Sequence, residues 1–231
     1  MKNIKKIIAK YYSYLWICFA ILFCAMILNG YIGQGKNLKK ENKLVVVIDP
    51  GHGGNDPGKV SKDGVLEKDI NLEIALLLKE ELEKMGVTVI MTRDTDICLA
   101  ADGATNKKSS DMKKRAEIIN DINPTCMISI HQNSFSDPSV SGAQVFYNGT
   151  SDESKELAQI IQNEFVKSVD SENDRKIKEG NDYYILSKTT CPGVIIECGF
   201  MSCPAEAEKL CDLNYQKKIA VAVATAITST Y

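Results

Sequence analysis

Residues 44–54 read Leu44-Val45-Val46-Val47-Ile48-Asp49-Pro50-Gly51-His52-Gly53-Gly54, and the rest of the chain is best understood outward from them. Five consecutive apolar residues ended by an Asp-Pro pair are the pattern of a strand buried on both faces that runs into a turn. Glycines at 51, 53 and 54 let the backbone turn sharply beside an imidazole and come close to a ligand. Taken alone, His52 is equally well read as a loop histidine on a Gly-rich turn.

Downstream the period changes. Between Glu67 and Met85 the apolar residues Ile70, Ile74, Leu77, Leu78, Leu82 and Met85 recur every three or four positions, and Gly86 follows, which predicts an amphipathic helix with a glycine stop. Val87–Met91 reads as the next strand, Asp102–Ser110 as loop, Met112–Asn120 as a helix and Cys126–Ile130 as a strand. Gly142–Tyr147 is a further strand, Ser151–Val169 a helix, and Asp182–Leu186 and Val194–Glu197 short strands. Helices over Pro204–Cys211 and Leu213–Ile227 close the chain. Strands alternating with helices describe an α/β domain with a mainly parallel sheet and helices on its faces. No repeat and no Pro-rich or Gly/Ser-rich linker divides residues 44–231, so a single domain is expected there.

Ahead of this domain stands a different kind of sequence. Lys2, Lys5, Lys6 and Lys10 form a basic segment over residues 1–10, and no charge follows until Lys36. The apolar run Leu15–Leu28, flanked by tyrosines at 11, 12, 14 and 31, approaches the roughly 20 residues that span a bilayer. The reading is a transmembrane signal anchor over residues 11–32, with the lysines in the cytoplasm, a polar tether over residues 33–43 and the domain on the extracytoplasmic side. A cleaved signal peptide and a secreted domain are the alternative.

Charge narrows the partners. Residues 1–35 hold four lysines and no acid, so 24 basic and 30 acidic residues remain beyond them, a net charge of −6. That balance speaks against nucleic-acid binding. Six of the eight cysteines lie in the domain and form no C-x-x-C pair. In an exported protein they could form three disulfides. Cys126 and Cys198 sit in apolar strand-like runs and read as small core residues; Cys98, Cys191, Cys203 and Cys211 are left open.

The chain has two histidines, His52 and His131, each just after an apolar strand. In a parallel α/β sheet ligands gather at the carboxyl ends of the strands, so the two can face one crevice although they are far apart in sequence. Glu67, at the start of a helix, has an ordinary use in the helix dipole. It also completes a set of two histidines and a glutamate, a donor set that suits catalytic zinc with one position open for water. Glu197 ends the apolar run Val194-Ile195-Ile196 and precedes Cys198-Gly199-Phe200, where an unpaired charge is costly. It is either the acid/base of a hydrolytic site or the partner of a lysine or Arg93.

The segments Asp49-Pro50-Gly51-His52-Gly53-Gly54, Glu67-Lys68, Thr92-Arg93, Ser129-Ile130-His131-Gln132-Asn133, Gly142 and Glu197-Cys198-Gly199-Phe200-Met201-Ser202 occur in the order and spacing of a known family. From Leu44 to Tyr231 the chain resembles the zinc-dependent N-acetylmuramoyl-L-alanine amidases of the amidase-3 family. The resemblance implies a six-stranded sheet flanked by helices, Zn2+ held by His52, Glu67 and His131, and Glu197 as catalytic residue. It implies hydrolysis of the amide between N-acetylmuramic acid and the L-alanine of the stem peptide in peptidoglycan.

Cys203 departs from the asparagine common at its position, and Gln132 stands at a variable one. Residues 134–141 are too short for the helical insert that plugs division-associated members, and no wall-binding repeats are recognisable. An anchor with a lone amidase domain resembles the sporulation and germination amidases of the spore cortex. An activating protein partner is left open. The rival functions are a zinc peptidase or carboxypeptidase acting within the stem peptide, and a non-catalytic anchored wall-binding protein.

Overall fold

A computed structural model describes residues 2–35 and 43–231, with the side chains of 2–3, 5–9, 13 and 27–35 outside that description. The chain divides into two compact units, residues 1–42 and 43–231. The described residues of the first unit form one helix, α1 (Lys2–Gly35). Its described apolar side chains, Leu15, Trp16, Ile17, Phe19, Leu22 and Phe23 among them, are more than half exposed. Among the described residues no helix is long and apolar enough to cross a membrane. Part of the expected span, residues 27–32, has side chains outside the described set, and residues 36–42 of the expected tether lie outside it altogether.

The second unit holds six strands: β1 (Val45–Pro50), β2 (Thr88–Met91), β3 (Cys126–Asn133), β4 (Gln144–Tyr147), β5 (Lys178–Glu179) and β6 (Gly193–Phe200). They form one sheet in the order β2-β1-β3-β6-β4-β5. β1, β2, β3 and β6 run parallel, β4 lies antiparallel to β6, and β5 runs with β4. The expected single α/β domain with a mainly parallel six-stranded sheet is what the chain forms.

Alternation along the strands feeds two cores. Val46 and Ile48 of β1 join Ile128, Ile130, Val194 and Ile196 on one face. There they meet Ile74 and Leu78 of α2 (Glu67–Lys84), Leu157 and Ile161 of α4 (Asp152–Ser168) and Ile219 and Val223 of α7 (Leu213–Thr230). Val47, Met127, Phe146 and Ile195 point the other way, onto Ala116 and Ile119 of α3 (Lys107–Ile122) and Ile185 and Leu186 of α5 (Tyr184–Lys188). Pro204–Leu210 forms α6, with proline in its first turn, where a missing N–H costs nothing.

Two local expectations differ from the structure. Asp182–Leu186 is not a strand: the chain turns at Gly180, whose carbonyl accepts the Tyr183 N–H at 2.9 Å, and enters α5. A strand would send the neighbours Ile185 and Leu186 to opposite faces, whereas the short helix buries both beside Phe146. The fifth strand is instead the two-residue β5, paired to β4 through Phe146 and Lys178. Helix α3 also begins inside the expected loop 102–110, because the Asn106 side chain caps it by accepting the Ser109 N–H at 3.0 Å.

Candidate active site

The carboxyl ends of β1, β3 and β6 meet at one edge of the sheet. β1 leaves that edge through Gly51, whose N–H reaches the Ile130 carbonyl at 3.0 Å. A Cβ on Gly51 would lie 2.2 Å from the His131 ring, so only glycine lets the two strand ends close up. The next residue, His52, has φ of 62°, a left-handed conformation that a histidine adopts only when its surroundings hold it. Those surroundings are two arginines. Buried Arg115 donates from Nη2 to the His52 carbonyl at 2.6 Å and from Nη1 to the Pro50 carbonyl at 2.7 Å. Arg93 donates to the carbonyls of Pro50 at 3.0 Å and Gly51 at 2.9 Å.

Glu67 is the hub of the constellation. It is 1% exposed, and its Oε2 lies 3.3 Å from His52 Nε2 while its Oε1 lies 3.0 Å from His131 Nδ1. The backbone N–H of Lys59 donates to Oε2 at 2.7 Å, that of Gln132 to Oε1 at 3.1 Å, and the Asn71 amide to Oε1 at 3.3 Å. Burial works against a charged Glu67, but the hydrogen bonds and charge of His131 and His52 outweigh it and hold the carboxyl well below the usual range. Gly58 closes the wall: a Cβ there would meet Glu67 Oε2 at 2.5 Å and His52 Cδ2 at 2.7 Å, and its φ of +68° excludes most other residues.

His52 faces Glu67 with one nitrogen and Asp56 with the other, its Nδ1 lying 2.9 Å from Asp56 Oδ2. The Gly58 N–H donates to Asp56 Oδ1 at 3.1 Å and fixes that carboxylate. For the His52 ring, burial lowers the pKa and the carboxylates of Glu67 and Asp56 raise it, with a net upward shift. A carboxylate behind a histidine selects the tautomer whose far nitrogen is free to bind a metal. Sequence reasoning alone does not single out Asp56, although Asp56-Pro57-Gly58 signals a turn beginning four residues after His52.

One donor atom from each of His52, Glu67 and His131 falls within 4.8 Å of the others, close enough for a single ion to take all three. Two imidazoles and a carboxylate are a donor set that suits zinc, and the His52 and His131 side chains remain partly open to solvent while Glu67 is buried behind them. The residues present therefore fit a catalytic divalent metal.

Glu197 lies directly across the β3–β6 ladder from His131 and across the β4–β6 ladder from Gln144. It is 7% exposed, and its Oε2 has no hydrogen-bond partner among the described residues. The expected alternative, an ion pair with a lysine or Arg93, is not formed: Arg93 directs its donors to the carbonyls of Pro50, Gly51, Lys68 and Thr95. Burial pushes Glu197 up to about 7, with Glu67 adding to the rise and His131, His52 and Lys59 opposing it. A carboxyl group that is half protonated near neutrality can both accept and donate a proton.

None of the cysteines is in a disulfide. Cys126 and Cys198 are core residues, as their apolar neighbours implied; Cys98, Cys191 and Cys203 are half-buried and Cys211 is exposed. The connection over residues 134–143 contains no helix, so it carries no helical plug.

Comparison with known proteins agrees with this geometry. The family model described as N-acetylmuramoyl-L-alanine amidase matches residues 46–229. The germination-specific N-acetylmuramoyl-L-alanine amidase of Bacillus subtilis is 38% identical over 182 residues, covering 78% of this chain and 76% of its own. Among solved structures, the CwlD amidase of Clostridioides difficile, in complex with the GerS lipoprotein, is 40% identical with a TM-score of 0.79, over 81% of this chain and 98% of that one. The amidase AmiC2 of Nostoc punctiforme is 34% identical with a TM-score of 0.71, over 81% and 97%. The chain belongs to the N-acetylmuramoyl-L-alanine amidase family and is a hydrolase of that class.

Proposed function

We propose that the protein is a zinc enzyme that hydrolyses the amide between the lactyl group of N-acetylmuramic acid and the L-alanine of the peptidoglycan stem peptide. His52, Glu67 and His131 hold the metal and Glu197 moves protons. The observation that carries this reading is the convergence of these four side chains on one sheet edge, with Glu197 left unpaired beside the three donors. Bound zinc would polarise the amide carbonyl and acidify a water molecule. Glu197 accepts the proton of the attacking water at its unpaired Oε2 and returns it to the departing alanine nitrogen. Asp56 holds His52 in the tautomer that leaves Nε2 free, and Arg115 and Arg93 hold the loop that presents it.

The test separates metal from base. Glu197→Gln keeps one zinc per chain and lowers release of stem peptide by at least about 100-fold, the scale of general acid–base catalysis. Glu67→Ala loses the metal itself. Mass spectrometry of digested muropeptides reads the bond: intact stem peptide and peptide-free glycan are expected. Shortened stems on muramic acid would make the protein a peptidase, and a zinc-loaded wild type that releases nothing would make it a wall-binding protein. Full activity in Glu197→Gln would remove Glu197 from the mechanism.

The setting is part of the same proposal. The exposed apolar side chains of α1, preceded by four lysines, support a single-pass anchor with the hydrolase on the extracytoplasmic side, a cleaved signal being the alternative. The Bacillus subtilis relative is named for germination, which supports action on spore cortex. The Clostridioides difficile relative was solved with a lipoprotein, which supports an accessory protein partner here.

A further inference from the structure

The sheet face that carries Glu197 continues beyond it. Residues directly opposite one another on neighbouring strands project to the same side. The pairs His131 with Glu197, Glu197 with Gln144, and Phe146 with Lys178 therefore lay a row of side chains from the metal recess across β6, β4 and β5. A groove of about 490 Å3 follows this row, with Asn133 and Gln144 at its inner end and Phe146, Lys178 and Tyr183 farther out.

Two cations edge the groove, and each is seated on an aromatic ring. The Arg175 guanidinium stands 4.5 Å over the Phe200 ring, and the Lys178 ammonium 5.9 Å over that of Phe146. Arg175 is held from behind, its Nε donating to the Ser141 carbonyl at 2.6 Å. Its Nη1 and Nη2 have no hydrogen-bond partner among the described residues, and neither cation has a carboxylate within ion-pair distance there. A guanidinium fixed at Nε with both terminal nitrogens open is poised for two parallel hydrogen bonds to a carboxylate. Glu179 and Asp182 also border the groove, so it is not a general anion trap. Its charges are mixed, as are those of a peptide that bears both carboxylates and an amine.

We infer that this groove binds the stem peptide and that Arg175 is a specificity-determining residue, pairing with the free α-carboxylate of the second, γ-linked D-glutamyl residue, with Lys178 in support. The chemistry of the substrate favours the peptide side. The lactyl carboxyl of muramic acid is consumed in the scissile amide, so every remaining carboxylate in this region lies on the stem. The inference rests on the amidase reading above and adds which end of the substrate the groove takes.

The experiment compares two soluble muropeptides that differ only in that α-carboxylate, free in one and amidated in the other, cleaved by the zinc-loaded full chain. The wild type is expected to cleave the free acid with about tenfold higher kcat/KM, expressed mainly in KM, which is the scale of one charge-assisted hydrogen-bonded pair. Arg175→Gln brings the free acid down to the level of the amide with zinc content unchanged, and Arg175→Lys restores part of the preference. A wild type that discriminates less than about twofold, below the worth of a typical hydrogen bond, overturns the inference without needing any variant. So does an Arg175→Gln protein that keeps the preference. If the zinc-loaded wild type cleaves neither compound, the amidase reading itself fails.

Discussion

Glu67 and Glu197 stand on either side of His131 in opposite electrostatic states. Glu67 accepts from two backbone N–H groups and the Asn71 amide and faces both imidazoles, all of which favour its anion. Glu197 sits in the apolar end of β6 with an oxygen that nothing in the described residues satisfies, which favours its neutral form. One residue outside this group has a separable role. Asp56 meets the three metal donors only through the far nitrogen of His52, so Asp56→Ala should weaken zinc binding by about 10- to 100-fold while leaving the fully loaded enzyme's kcat within a few-fold of wild type. Competition with a chromophoric chelator measures the first quantity, and turnover at saturating zinc the second. A variant with unchanged zinc affinity would show that Asp56 merely shapes the loop.

At the scale of elements, β1 is tied to α3, β2 and β3 by a buried polar cluster. Asp49 receives Arg115 Nη1 at 2.8 Å, Thr92 Oγ1 at 2.6 Å and Ser129 Oγ at 2.8 Å, and Arg115 also donates to Asp111 at 2.5 Å. Burial alone would raise the Asp49 pKa, but the Arg115 charge and these hydrogen bonds outweigh it and hold it below the ordinary value. A carboxyl whose folded value is depressed contributes stability above its unfolded value, near 3.9, and loses it as pH falls through the folded value. Asp49→Asn should therefore cost about 3–5 kcal/mol near neutrality, since it leaves a buried guanidinium without its main counter-charge. The gap from wild type should stay constant from about pH 8 to 5 and narrow below about pH 4. Urea titrations across that range give the gap directly, and a difference independent of pH would mean that Asp49 acts through shape and not charge.

For the whole molecule, both cores and every strand among the described residues lie within residues 43–231, a unit distinct from residues 1–42. A chain of residues 43–231 should unfold in one cooperative transition and keep amide hydrolysis, checked by melting followed at two wavelengths and by muropeptide release. The full chain should sediment with membranes and the shortened one remain in the supernatant. Equal partitioning of the two would dispose of the anchor.

Much of this molecule is legible in its amino-acid sequence alone. Apolar runs, three- and four-residue periods and glycine stops are properties of local sequence, so β1, α2, β3, α4 and α7 can be read within a few residues of their ends. Scarcity and strand-end position pick out His52 and His131, and an apolar context picks out Glu197. Glu67 is legible mainly through the family resemblance, because a glutamate in a first helical turn has an ordinary use.

Tertiary structure decided the rest. The two-residue β5 exists only by pairing with β4, and α5 exists because Ile185 and Leu186 must both reach Phe146. The support of Asp56 and Arg115 for His52, and the groove that begins at Gln144, depend on strand order and cross-strand register. Local periodicity specifies which way a side chain points along its own strand. Which distant side chains then share that face is set only when the strands take their places in the sheet.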